Sequence, residues 1–145
     1  DFSFHPVIDG VPVANALAPG KRPRSSMSPT LVFDEQGAFF LAIGSPGGSR
    51  IIQYVAQSLL HVLDLGMDVQ AAIAAPHVVN RNGPTELERD AGDAETIQAL
   101  AEGLRALGHE VVFRHQTSGL HGITKTSSGL SGGADPRREG LATGD

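Results

Sequence analysis

Between Ile51 and Leu63 the apolar residues Ile51, Ile52, Val55, Leu59, Val62 and Leu63 recur at helical spacing, which predicts an amphipathic helix with Gly66 as its left-handed stop. Asp68 then stands where a cap belongs, and residues 67–75 predict a second, short helix that Pro76 ends. A third helix runs from an Asp93 cap to Leu107, with Ile97, Leu100, Ala101, Leu104 and Leu107 on one face and Gly108 beyond. Strand patterns surround these helices. TLVFD (30–34) and AFFLAIG (38–44) flank EQG as a hairpin whose strands are apolar enough to be largely buried. HVVN and ELER flank RNGP, and HEVVFRH, HGITKTS and GLSGGAD read as strands separated by turns. Residues 1–24, interrupted by Pro6, Gly10, Pro12, Pro19, Gly20 and Pro23, predict a loop. The order β-β-α-α-β-β-α-β-β-β predicts α/β layers with mainly antiparallel sheets.

Composition adds limits. A chain of 145 residues fits one domain, and this size buries roughly 68% of the surface an unfolded chain exposes. Aromatics are only 5% and there are 18 glycines and 9 prolines, so the core is expected to be aliphatic and the loops numerous. A formal charge of -5, with no basic run beyond KRPR at 21–24, argues against a nucleic-acid partner. Without cysteine there is no disulfide and no thiolate metal site. No apolar run approaches the roughly eighteen residues of a membrane helix. DFSFHPVIDG lacks the pattern of a signal peptide, and a first residue that is Asp rather than Met suggests a processed chain or a piece of a longer one.

Two stretches carry candidate chemistry. In GSPGGSR (44–50), Gly47 and Gly48 precede a helix with backbone amides that no Cβ shields, which suits an anion or a developing oxyanion, or else a plain tight turn. In RPRSSMSPT (22–30), Ser25 and Ser26 offer hydroxyls on a loop stiffened by Pro23 and Pro29, either as donors to a carboxylate or as ordinary turn residues. The six histidines show no metal-ligand spacing, although His115 and His121 could meet across a hairpin, and no metal is expected. Glu86, Glu88 and Asp90 alternate along a short strand and read as its solvated face. No GxSxG elbow is present, so no nucleophile is evident.

Taken together, GKRPRSSMSPT, GSPGGSR before a helix, AAPHVVN, SGLHGI and GGADPRREG resemble the γ-glutamyltranspeptidase family over essentially the whole chain. The resemblance implies that residues 1–145 are the C-terminal portion of the small subunit, with 1–29 as a substrate-binding loop region. It implies part of an αββα sandwich of the N-terminal nucleophile hydrolase type, whose sheets also draw strands from the large subunit. It further implies transfer of γ-glutamyl groups through an N-terminal threonine that lies outside these residues. Gly47 and Gly48 would then be oxyanion donors, Ser25 and Ser26 would hold the substrate α-carboxylate, and Asp1 would pair with its α-amine. No cofactor is implied, and the location is periplasmic or secreted. The isolated chain is expected to leave apolar faces uncovered and to need the large subunit and the rest of the small subunit as partners. Alternatives are a glutaryl or cephalosporin acylase of the same family, against which Asp1 argues because a glutaryl group has no α-amine, and a non-catalytic binding or assembly module.

Overall fold

The computed structural model describes residues 2–144. A hairpin comes first in the main sheet: β3 (Thr30–Phe33) and β4 (Phe39–Gly44) pair antiparallel. Asp34 shapes their turn by accepting the amides of Gln36 and Ala38 at 3.0 and 2.8 Å. β8 (His121–Thr126) and β9 (Gly129–Ala134) complete a four-stranded antiparallel sheet in the order β3-β4-β8-β9. A second sheet joins β5 (Val78–Asn80) antiparallel to β6 (Thr85–Glu88), and β6 parallel to β7 (Val111–Arg114). The parallel pair requires a crossover, which α3 (Ala94–Ala106) supplies.

α1 (Ile51–Leu63) and α2 (Val69–Ala74) form where the apolar spacing places them. Asp68 caps α2 by accepting from the Gln70 and Ala71 amides, and Asp93 caps α3 by accepting from Thr96. Leu41, Ile43, Tyr54, Val55, Val69, Ile73, Val79 and Leu120 make one hydrophobic core, aliphatic but for Tyr54, between the main sheet and the helices. Seating α2 on that sheet needs two register partners without side chains. A Cβ on Gly122 would lie 2.9 Å from Val69 Cγ2, and one on Gly133 would lie 3.0 Å from Gln70 Cα. α1 in turn covers the open edge of β5, because Gln57 accepts from the Val78 amide and donates to the Pro76 carbonyl. Gln53, four residues earlier, does the same for the amide and carbonyl of Asn80. An edge that could pair with another strand is thereby satisfied by side chains.

Two expectations need correction. Residues 1–24 are not all loop: β1 (Val7–Ile8) and β2 (Val11–Pro12) form a minimal hairpin around Asp9-Gly10, whose φ angles of 49° and 76° fit a tight hairpin turn. β3 is not largely buried, since Leu31 is 63% and Phe33 54% exposed. Leu31, Ala42, Ile123 and Gly132 are register partners across the sheet, on the face opposite α2, and leave an apolar row open. α3 forms where the spacing places it, but buries only Ala101 of its apolar stripe, and Leu107 is exposed.

Candidate active site

After β4 the chain leaves the sheet through Ser45-Pro46-Gly47 and enters α1 by way of a 3-10 turn, Gly48–Arg50. Gly47 has φ +136°, a conformation L side chains rarely adopt, and a Cβ there would sit 2.7 Å from Cε2 of Tyr54. Gly48 has φ +59° and open space where a side chain would project. Consecutive positive-φ residues therefore begin the turn. Across from it, Lys21 holds the amino-terminal loop by donating to the carbonyls of Ala14 and Ala16, and the Arg24 amide donates to Asn15 Oδ1. Ser25 Oγ accepts from the Met27 amide at 3.2 Å, and the Ser26 carbonyl accepts from Ser28 Oγ at 3.1 Å.

These two segments, far apart in sequence, meet. Ser25, Ser26, Gly47 and Gly48 all line one cavity of about 620 Å³. Asp1, the remaining residue expected there, lies outside the described residues. The described lining contains no histidine, carboxylate or threonine, and Arg24 is its one ionisable side chain. The described lining thus has hydroxyls and backbone donors for negative charge but no base to activate a nucleophile.

Behind the cavity, the carboxylates of β6 do not face solvent as expected. Glu86 and Glu88 are buried because arginines distant in sequence fold over them. Arg50 grips Glu86 through Nε and Nη2 at 2.8 and 3.0 Å, with Arg114 and Arg81 at 3.4 and 3.7 Å. The Arg50 bond holds the Glu86 carboxyl below its ordinary range. Glu88 accepts from Arg137 at 2.5 and 2.7 Å and from the His77 amide at 2.9 Å. Only Asp90 is exposed, in a left-handed turn conformation. His115 follows β7 and His121 opens β8, strands of different sheets, so the two do not meet across a hairpin. Among the described residues no cluster of three or more His, Cys, Asp or Glu could hold a metal ion.

A second constellation escaped the sequence reading. His77 Nε2 lies 2.7 Å from Ser118 Oγ, which donates to Asp135 Oδ2 at 2.6 Å. The residue types are those of a hydrolytic triad, but the order is wrong: the serine sits between histidine and carboxylate, and all three are buried. With the Ser118 proton committed to Asp135, its oxygen accepts from His77 Nε2-H, leaving Nδ1 bare in the interior without a partner. Burial, and next the nearby Arg137, push the His77 imidazole down to about 4. Its folded value lies below the ordinary 6.5, so the unfolded chain takes up a proton first as pH falls. Folding stability is therefore expected to be fully supported by neutral His77 above pH 6.5 and to erode from there down through about 4. Urea unfolding at half-unit pH steps checks this, and a flat midpoint between pH 6.5 and 5 would contradict it.

The sequence model of the gamma-glutamyltranspeptidase family matches residues 1–144. The glutathione hydrolase proenzyme of Escherichia coli K12 is 38% identical over 143 residues, covering 94% of this chain and 24% of that protein. Scoloptoxin SSD20 of Scolopendra dehaani is 36% identical over 150 residues, covering 99% of this chain and 75% of that protein. Among solved structures, a gamma-glutamyltranspeptidase from Pseudomonas nitroreducens complexed with L-DON superimposes with a TM-score of 0.79 at 29% identity, over 99% of this chain and 77% of that one. The chain thus spans about a quarter of the E. coli proenzyme. The shared architecture is that of the N-terminal nucleophile hydrolases, to which this chain contributes α/β layers with mainly antiparallel sheets. None of its described helices is long and apolar enough to cross a membrane. Because the family model matches residues 1–144, nearly the whole of the chain, the chain belongs to the gamma-glutamyltranspeptidase family.

Proposed function

We propose that the protein carrying this chain transfers γ-glutamyl groups from glutathione and related amides to water, amino acids or dipeptides. The observation that supports this reading is the convergence of the serine loop and the glycine turn on one cavity whose described lining holds no base. An α-amino acid head needs donors for its carboxylate and an anion for its ammonium. Ser25 and Ser26 supply the former and Asp1 the latter, leaving the γ-carbonyl directed at the glycine turn. A threonine from the preceding part of the small subunit attacks that carbonyl, its hydroxyl proton passing to its own α-amine. The Gly47 and Gly48 amides stabilise the oxyanion. Collapse expels the amine with that proton and leaves a γ-glutamyl ester, which the acceptor resolves.

In this reading residues 1–29 are the substrate-binding region, and the large subunit and the remainder of the small subunit cover the open row of Leu31 and Ile123. The processed protein works outside the cytosol, in the periplasm or secreted. Chromophore release from a γ-glutamyl anilide and from a glutaryl anilide by the complete processed protein tests the assignment. Turnover of the first, stimulated by a dipeptide acceptor, is expected, whereas preference for the second would make the protein an acylase. Ser25→Ala and Ser26→Ala are each expected to raise KM about tenfold, the loss of one hydrogen bond to a charged group, with kcat nearly unchanged. If KM stays put in both, the serines do not hold the carboxylate.

A further inference from the structure

Four side chains with no part in that mechanism close a ring behind the glycine turn. Tyr54, on the first turns of α1, is fully buried with its ring against the Cα of Gly47. Its hydroxyl donates to Gln116 Oε1 at 2.7 Å. Gln116 Nε2 donates to Glu86 Oε2 at 3.4 Å, and Glu86 takes both bonds of the Arg50 fork. Arg50 is the last residue of the 3-10 turn, and its own amide returns to the Gly47 carbonyl at 3.3 Å. The circuit therefore starts and ends on the backbone of residues 47–50.

We infer that Tyr54, Gln116, Glu86 and Arg50 are positioning residues that fix the direction of the Gly47 and Gly48 amides. This rests on the reading of those amides as oxyanion donors. Glycines at positive φ offer close approach but have no stiffness of their own, and a donor contributes to an oxyanion only if its direction is set before the charge develops. The ring supplies that stiffness from two sides. Tyr54 blocks Gly47 from moving inward, while the fork on Glu86 holds the far end of the turn against the second sheet. Gly48, between the two anchors, has nothing within 4 Å of the position a Cβ would take, so no packing of its own holds it and its direction depends on those anchors. Two-bond geometry is central, because a guanidinium held at two points cannot swivel as an ammonium can.

Two variants of the complete processed protein test the inference. Arg50→Lys keeps the charge opposite Glu86 but not the fork, and is expected to lower kcat by about 10- to 100-fold, as small misplacements of reacting groups do. Tyr54→Phe keeps the ring on Gly47 and removes only the hydroxyl, with its bonds to Gln116 and to the Thr117 backbone, for an expected loss of about five- to tenfold in kcat. KM and inhibition by free glutamate, which report ground-state binding, should stay within about twofold in both. Rates are normalised to active sites counted by burst titration, so misfolded protein does not register. Unchanged kcat per site in both variants, or a rise in KM with kcat intact, overturns the inference. If the wild-type protein shows no γ-glutamyl turnover, the functional reading fails separately, and amide hydrogen exchange at Gly47 and Gly48 decides the remaining question. Faster exchange in both variants supports the brace, and equal exchange overturns it.

Discussion

Replacing Gly47 with alanine is expected to cost about 10² to 10³ in kcat for a γ-glutamyl anilide, the range seen when one oxyanion donor is lost. The added methyl would lie 2.7 Å from Cε2 and 3.1 Å from Cδ2 of Tyr54. The ring cannot retreat, because it is buried in the core, packed at a 36° tilt with its centroid 4.4 Å from that of the His77 ring, and tied at its hydroxyl to Gln116. The backbone must yield instead, and with φ at +136° it would leave a region that alanine disfavours in any case. Gly48→Ala provides the internal comparison. Its methyl meets nothing, and the left-handed conformation at +59° costs roughly 1–2 kcal/mol. A melting temperature lowered by a few degrees with a smaller loss of kcat is therefore expected for Gly48→Ala. Should Gly47→Ala turn over within about threefold of wild type, less than the smallest effect expected of a displaced donor, the turn is not the oxyanion site.

The second large effect concerns stability. Arg137→Ala is expected to destabilise the fold by about 3–5 kcal/mol, as removal of one partner from a buried ion pair does. Arg137 lies partly buried between the buried carboxylates of Glu88 and Asp135, donating to both, and it also satisfies the Ile73 and Ala75 carbonyls at the end of α2 at 3.1 and 2.8 Å. Without it, two interior carboxylates lose their charged donor and a helix terminus its cap together. Burial pushes the Asp135 carboxyl up, but bonds from Ser118, the Arg137 and Leu120 amides and the guanidinium outweigh it, holding the group below 3.8. A lowered folded value means that Asp135 contributes stability above its unfolded pKa, and that this contribution disappears as pH falls through the folded one. Losing the guanidinium should shift that acid transition to higher pH. Urea denaturation at pH 7 and at pH 4 measures both effects, and a change at pH 7 below about 1 kcal/mol would falsify the account.

Local chemistry was readable because its signals lie within a few residues of one another. The Asp68 and Asp93 caps, the α1 repeat and the Asp34 turn each bring donor and acceptor within four positions. The meeting of Ser25 and Ser26 with Gly47 and Gly48 followed from the family resemblance, and the cavity brings all four together. What failed was anything settled by distant partners. Alternating carboxylates at 86 and 88 look like a solvent face until Arg50 and Arg137, separated from them by 36 and 49 positions, arrive. Tyr54 lay outside the aliphatic stripe of α1, and only Gln116, 62 positions onward, explains how its hydroxyl can be buried. β3 misled for the opposite reason. Its apolar residues on both faces announce two covering layers, and the described chain supplies one.

The pairing of β4 with β8 also sets an order of events during synthesis. Leu41 finds its partner Thr124 only after on the order of 80 further residues have been added, which takes roughly 4–16 s at ribosomal speeds. Throughout that interval the Phe39–Gly44 strand has β3 on one edge and nothing on the other. The glycine turn that follows it cannot be braced before Gln116 emerges. A nascent chain arrested short of β8 should therefore be a better client for a chaperone than one arrested just beyond Ala134, although the two differ by little more than a single hairpin.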